Sequence, residues 1–472
     1  MSEGQGQGQA SMHQQTQSMA ITRELAGWIA GIRNADLPDA VRQAVAGLSL
    51  DTFGAGLTGH DEPWSQAIRG WADDGYLAPC DGGARAWGRR GRTYRAADAA
   101  LVNGAAAHAY ELDDFHNAKV HLGAVVLPAV FALAETLEVP PERVETAIAV
   151  GYETMIRCSL ALQPALARMK GWHMTAVCAP LGGAAASAVM LGLDAERTAW
   201  ALGLAGTQSG GLFAFACDGA DSKRFHPGRG AQAGVMAAEL AARGLTGPTQ
   251  LFETGDGGWL KAFSESPKPE RLLAGLGSDW HMPRTNFKPY ACCGSAHAHV
   301  DGALRLRADW AGQGPIRVGM PAVVDVQCGY RYAPGSVLNA QMSARYALAV
   351  ALLDGEVLPA QFGQARLADP KIIALANAIE IVRDPELDAL YPASFCGWVE
   401  LMSKNGEPLR AYQANPSGSA ENPARMAAIR DKFRALTADV LAPAQVEVLI
   451  DAFGKLATTP VRHILAAAES VA

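Results

Sequence analysis

Between Ile21 and Phe263 the chain repeats one pattern: Ala-rich segments with helical spacing at 98–110, 123–137, 143–163, 174–192, 194–212 and 227–243, punctuated by Gly or Pro. Few stretches alternate with period two. Small side chains let helix backbones approach closely, so the pattern predicts a large all-α body of buried helices rather than a sandwich or barrel. Composition agrees, with 49% hydrophobic residues and only 7% aromatic ones. At 472 residues the chain is too long for one core, and two domains are the expectation.

The character changes near 265–285. Residues 316–330 carry alternating β-branched positions and read as strand, and 379–384 and 396–413 add further strand signal. Lys404-Asn405-Gly406-Glu407 reads as a type I′ hairpin turn, because Asn-Gly supplies positive φ values. Helices at about 294–311 and 337–353 are interleaved. The segment 415–423 is a linker, and 424–470 returns to helices. The expected fold is therefore mainly α: a discontinuous all-α domain (19–275 and 416–472) with a smaller α+β lid domain (276–415) inserted. Residues 1–18, rich in Gln, Gly and Ser, are expected to be a disordered leader.

A net charge of −7 leaves no global basic field for nucleic acid, so an anionic ligand has to be held by local charge. The eight cysteines show neither zinc spacing nor CxxC, which points to reduced thiols in a cytoplasmic compartment. No signal peptide or membrane-like run stands out, and no membrane partner is expected.

The polar residues that call for chemistry stand at predicted helix starts. His121 precedes the helix 123–137, and His173 precedes 174–192. Lys223 and His226 stand in a polar turn before Pro227, read as the first residue of the helix 227–243. Free N–H groups at such ends favour anions, and a carboxylate held between them meets dipoles and side-chain donors together. Lys288, in Asn286-Phe287-Lys288-Pro289-Tyr290, repeats the logic ahead of a later helix. Taken singly, each is as well explained as a cap or packing residue; the recurrence carries the functional reading. Glu111, Asp113 and Asp114 form an acidic cluster with no metal-binding spacing. His297 and His299 would lie about 200° apart on a helix, so they do not face one ion.

As a set, these residues resemble the MmgE/PrpD family. The stretches that carry the resemblance are 101–114, 121–135, 151–157, 171–177, 203–212, 218–234, 287–297 and 342–355. The family includes 2-methylcitrate dehydratase, cis-aconitate decarboxylase and iminodisuccinate epimerase. The resemblance implies a homodimer, no metal or organic cofactor, and a site between a helical and an α+β domain. It marks His121, His173, Lys223 and Lys288 as site residues, and Glu111 where decarboxylase-like members carry Asp. Two positions depart from the pattern. Phe115 stands where many members have Thr, and Cys328 aligns with a decarboxylase-branch Tyr.

These observations lead to an enzyme that makes or quenches a carbanion next to a carboxylate of a small di- or tricarboxylate. The leading expectation is a dehydratase, the next an epimerase, then a cis-aconitate-type decarboxylase. A carboxylate-binding protein without activity is the reading from a different class. His173 and Lys223 are expected as the acid/base pair. Lys288 and His121 would hold substrate carboxylates, with His226 and His297 supporting binding, while Glu111 and Asp114 orient the histidines. Lysines from both domains imply that lid closure assembles the site.

Overall fold

The computed structural model describes residues 20–75, 80–391 and 393–469; the expected leader lies outside them. The fold is mainly α. Its centre is the helix Ser222–Ala242, which packs on Ala96–Ala107, Gly123–Thr136, Met174–Leu191 and Ala195–Gly206. Glycine makes this possible. A Cβ on Gly228 would lie 2.3 Å from the Leu101 carbonyl oxygen, and one on Gly234 would lie 2.5 Å from the Ala184 nitrogen. The central helix therefore meets both neighbours backbone to backbone.

Met174–Leu191 is the one described helix long and apolar enough to cross a membrane. Since 89% of it is buried inside the protein, it is a core helix. The helices Arg425–Thr437 and Pro443–Gly454 pack on Asp39–Gly59, and Val461–Ala467 packs on Gly123–Thr136. Their Phe433, Phe453 and Ile464 share one hydrophobic cluster with Phe53 and Phe131.

A second cluster lies around a four-stranded sheet of order Ile379–Arg383, Ile316–Met320, Gly397–Met402, Pro408–Gln413. The first pair is parallel and the others antiparallel. Helices His297–Leu306 and Ala344–Asp354 pack with it through Val300, Leu348 and Val399. Leu112 and Phe215, from the helical part of the chain, join this second cluster. The segment 108–122 thus runs along the seam between the two, tied to it where Phe115 and Asn286 exchange backbone hydrogen bonds of 3.0 and 2.8 Å.

Several sequence expectations need correction. The strand at 316–330 ends at Met320, and Ala322–Cys328 is helix. Pro321 stops the ladder, because it has no N–H, and serves as the helix N-cap. Gly406 alone in the 404–407 turn has positive φ. With Gly406 N–H bonded to Ser403 O, this is a type I turn closed by a glycine bulge, not type I′. The helix expected to begin at Pro227 begins at Ser222, so Lys223 and His226 are helical and Pro227 lies inside. Lys288 does not precede a helix directly, since the next helical turn starts at Gly294.

Candidate active site

The seam segment 108–122 carries most of the site. It leaves the helix Ala96–Ala107 at His108 and enters Gly123–Thr136 after Leu122. Two of its residues, Glu111 and Lys119, are held at φ of 58° and 63°. Such conformations cost a non-glycine residue on the order of 1–3 kcal/mol and persist only where the surroundings impose them.

Glu111 shows what imposes its conformation. Its carboxylate is buried, with Oε1 accepting from Lys223 Nζ and Oε2 accepting from Lys288 Nζ at 3.0 Å. Lys223 also donates to His108 Nε2 at 2.9 Å. The far side of that ring, Nδ1, donates to Asp113 at 2.8 Å. One chain of contacts therefore runs Asp113, His108, Lys223, Glu111, Lys288. An ammonium on Nε2 and a carboxylate on Nδ1 fix His108 as the neutral Nδ1–H tautomer.

The electrostatics follow from burial and pairing. Burial would raise the Glu111 pKa, but the two lysines outweigh it and hold the group well below the usual carboxylate range. Lys288 is moved the other way, its burial outweighed by Glu111 and Asp113. Lys223 is lowered, because burial together with the nearby Lys288 charge exceeds the attraction of Glu111. Glu111 and Asp113 together balance the two ammonium groups in this dry cluster, and Lys223 carries its positive charge to the cavity wall.

His121 and His173 flank this cluster. His121 Nδ1 donates to the Asp114 carbonyl at 2.9 Å, and its Nε2 has no hydrogen-bond partner among the described residues. His173 is the N-cap residue of Met174–Leu191, and its Nδ1 lies 2.8 Å from His226 Nδ1. Burial, then the nearby cations and histidines, hold the pKa of both His121 and His173 well below the ordinary value, so they are neutral near pH 7.

These groups border a narrow cavity that opens to solvent. Glu111, His121, His173 and Lys223 line it. Phe115, Phe213, Phe395 and Met342 supply apolar wall. Lys119 and Arg168 line it too, although the sequence pattern drew attention to neither. Glu111 is the one Asp or Glu on the wall, and both its oxygens are already taken by lysines.

Four expected site residues stand elsewhere. Lys288 is fully buried behind the wall and bonded to Glu111, so it does not face the cavity. His226 touches the cavity only through His173. Asp114 does not orient a histidine with its carboxylate. That group accepts from Leu122 N, Gly123 N and the Tyr152 hydroxyl at 3.1, 2.8 and 2.5 Å, fixing the start of the helix at Gly123. His297 is buried off the cavity, with Nε2 at 3.2 Å from the Cys292 carbonyl, and His299 pairs separately with the Gly319 carbonyl. Cys328 lies beneath Cys293, which lines the cavity.

His108, Asp113 and His121 bring three ligand atoms within 4.8 Å of one another, a spacing that could hold a metal. The Nδ1 atoms of the two histidines are engaged in hydrogen bonds, and the ammonium of Lys223 stands on His108. A further cation would be repelled there, so the donor set fits a hydrogen-bond relay better than a metal ligand set.

The fold and site define a mainly helical protein with a cavity built around a carboxylate bridging two lysines. The MmgE/PrpD N-terminal domain model matches residues 23–272 and the C-terminal domain model matches 290–457; the chain belongs to the MmgE/PrpD family. Among its relatives, the cis-aconitate decarboxylase of Aspergillus terreus is 31% identical over 456 residues, 91% of this chain and 92% of the relative. The cis-aconitate decarboxylase-like protein oryM of Aspergillus oryzae is 30% identical over 451 residues, 89% of this chain and 91% of the relative. The mouse cis-aconitate decarboxylase is 26% identical over 452 residues, 93% of this chain and 91% of the relative. These relatives favour the decarboxylase alternative over the dehydratase expected first.

Proposed function

We propose that the protein is a cofactor-independent decarboxylase of an unsaturated tricarboxylate, cis-aconitate or a close analogue. The observation that carries the reading is the Lys223–Glu111–Lys288 bridge beside two neutral histidines on a cavity wall with no free carboxylate. Relatives so named, aligned over some nine-tenths of the chain, support decarboxylation among the reactions such a site could serve.

The chemistry needs little beyond charge and one proton. The carbon–carbon bond to the carboxylate on the CH₂ group breaks and CO₂ leaves. Its electron pair moves through the double bond to the carbon bearing the far carboxylate, and a proton closes there. The developing negative charge spreads onto that carboxylate, so a fixed ammonium next to it lowers the barrier. Lys223 has three N–H bonds. Glu111 and His108 take two of them, and the third is available to the cavity. With His226 donating to its Nδ1, His173 keeps its proton on Nε2, where it can pass to carbon. His121 Nε2, left as an acceptor, takes a hydrogen bond from a water beside the substrate.

The Phe115 departure fits this reading as apolar contact with the hydrocarbon part of the substrate. Cys328 stands off the wall and does not bear on it. The test is incubation with cis-aconitate in D₂O, followed by proton NMR and CO₂ capture. The expected result is stoichiometric CO₂ and a methylene dicarboxylate carrying one deuterium next to a carboxylate. Water loss from a 2-hydroxy tricarboxylate without CO₂, or α-proton exchange alone, would overturn the proposal in favour of dehydration or epimerisation.

A further inference from the structure

Lys119 and Arg168 are cations without a carboxylate counter-charge. Among the described residues, neither has an Asp or Glu within ion-pair distance. Arg168 lies over the Phe213 ring at 3.3 Å, and its Nε is buried with no hydrogen-bond partner. Lys119 lies over the Tyr391 ring at 4.9 Å, and its one side-chain hydrogen bond is a long 3.4 Å contact to Gln327 Oε1. Both line the cavity. Arg168 and Gln327 also line the adjoining groove past Gly171 and Tyr330, which puts them at the cavity mouth.

This arrangement is unfavourable as it stands. Burial lowers the Lys119 pKa to about 8, helped by repulsion from Arg168 and opposed by the Cys293 thiolate, whose own pKa the Cys328 hydrogen bond brings down to about 6. Arg168 is lowered mainly by burial. A carboxylate between the two would satisfy the orphaned Nε, offset the repulsion and replace solvent with charge-assisted hydrogen bonds. The backbone of Lys119 is held at positive φ, so its direction is set by the seam segment rather than by choice of ligand.

We propose that Lys119 and Arg168 form a second carboxylate subsite at the cavity mouth, which selects substrates with a carboxylate distal to the one at Lys223. The proposal rests on reading the ligand as a polycarboxylate. It makes these two residues determinants of specificity, separate from the Lys223 cluster that faces the reacting carbon.

Calorimetric binding tests it apart from turnover, using propane-1,2,3-tricarboxylate and butyrate, which has no distal carboxylate. The wild type is expected to bind the tricarboxylate more tightly. Lys119→Met and Arg168→Met should each lose about tenfold or more in affinity for it and change little toward butyrate. Arg168→Lys should recover part of the loss, which a purely structural role for the guanidinium would not allow. Equal loss for both ligands, no loss, or no binding of either ligand by the wild type would overturn the subsite. So would a Cys293→Ser variant showing the same selective loss, because the pair would then serve the thiolate. If the subsite binds as expected while cis-aconitate is not turned over, the proposed reaction fails and the subsite stands.

Discussion

The Nδ1 atoms of His173 and His226 lie 2.8 Å apart, so one ring must donate and the other accept. Only a single proton fits between them, and its position decides which face of His173 is acidic. Under the proposed reaction, His226→Phe should lower kcat on the order of a hundredfold with little change in KM. His226→Asn, which keeps a donor, should recover part of that. Steady-state kinetics alongside a thermal melt checks this; equal kcat for both variants and the wild type would remove His226 from the relay.

Glu111 neutralises two buried lysines, and its loss is predicted to be a stability defect as well as an activity defect. Glu111→Gln leaves Lys223 and Lys288 facing each other across an amide and should cost about 3–5 kcal/mol. Lys223→Met leaves Lys288 on Glu111, so it should cost less stability while abolishing turnover. Urea unfolding of the two variants gives the comparison, and a Glu111→Gln midpoint at or above that of Lys223→Met contradicts it.

Asp114 gives the fold a measurable pH signature. Burial, opposed by hydrogen bonds from Tyr152 and Gly123, pushes its carboxyl up from 3.8 to about 7. Between those values the folded protein holds a proton that the unfolded chain has released. The stabilisation is therefore complete below about pH 4 and is lost as pH rises through 7. Glu111 and Asp113, both depressed, act in the opposite sense and lose their contribution only in acid. Stability of Asp114→Asn relative to wild type should thus rise by on the order of 4 kcal/mol between pH 4 and pH 7. Chemical denaturation across that range measures it, and a flat difference contradicts the assignment.

Gly228→Ala should disturb the site from a distance. The new methyl would meet the Leu101 carbonyl oxygen at 2.3 Å and the Ala105 nitrogen at 2.9 Å, both backbone atoms that cannot rotate away. The expected cost is about 3 kcal/mol, together with a loss of activity, because Lys223 stands in the first turn of the same helix. A far-ultraviolet melt and an activity assay report the two effects; wild-type values in both would show that the helices can part.

What the sequence revealed was set by range. The small-residue periodicity exposed the helical body, and helix starts exposed His121 and His173, because both signals are local. Lys119 and Arg168 gave no such signal, since what distinguishes them is the absence of a carboxylate partner in three dimensions. His108 and Asp113, five residues apart, were adjacent enough to notice, but their meaning depends on Lys223, more than a hundred residues later. Pro227 misled because proline usually marks a first turn. Here it stands inside Ser222–Ala242, where the donor it lacks would have met the Lys223 carbonyl. His297 had the right neighbours in sequence but turns toward the Cys292 carbonyl.

The contact of Gly228 and Gly234 with their neighbouring helices has a consequence for how such a chain diversifies. A seam with no room for a methyl group can neither slide nor swell, so the lysine in the first turn of the central helix keeps its station. Lys223 is in that sense a fixed post. Novelty in substrate choice then falls to the facing wall, where Phe115, Lys119, Arg168 and Phe395 can be exchanged without unpacking the helices behind them.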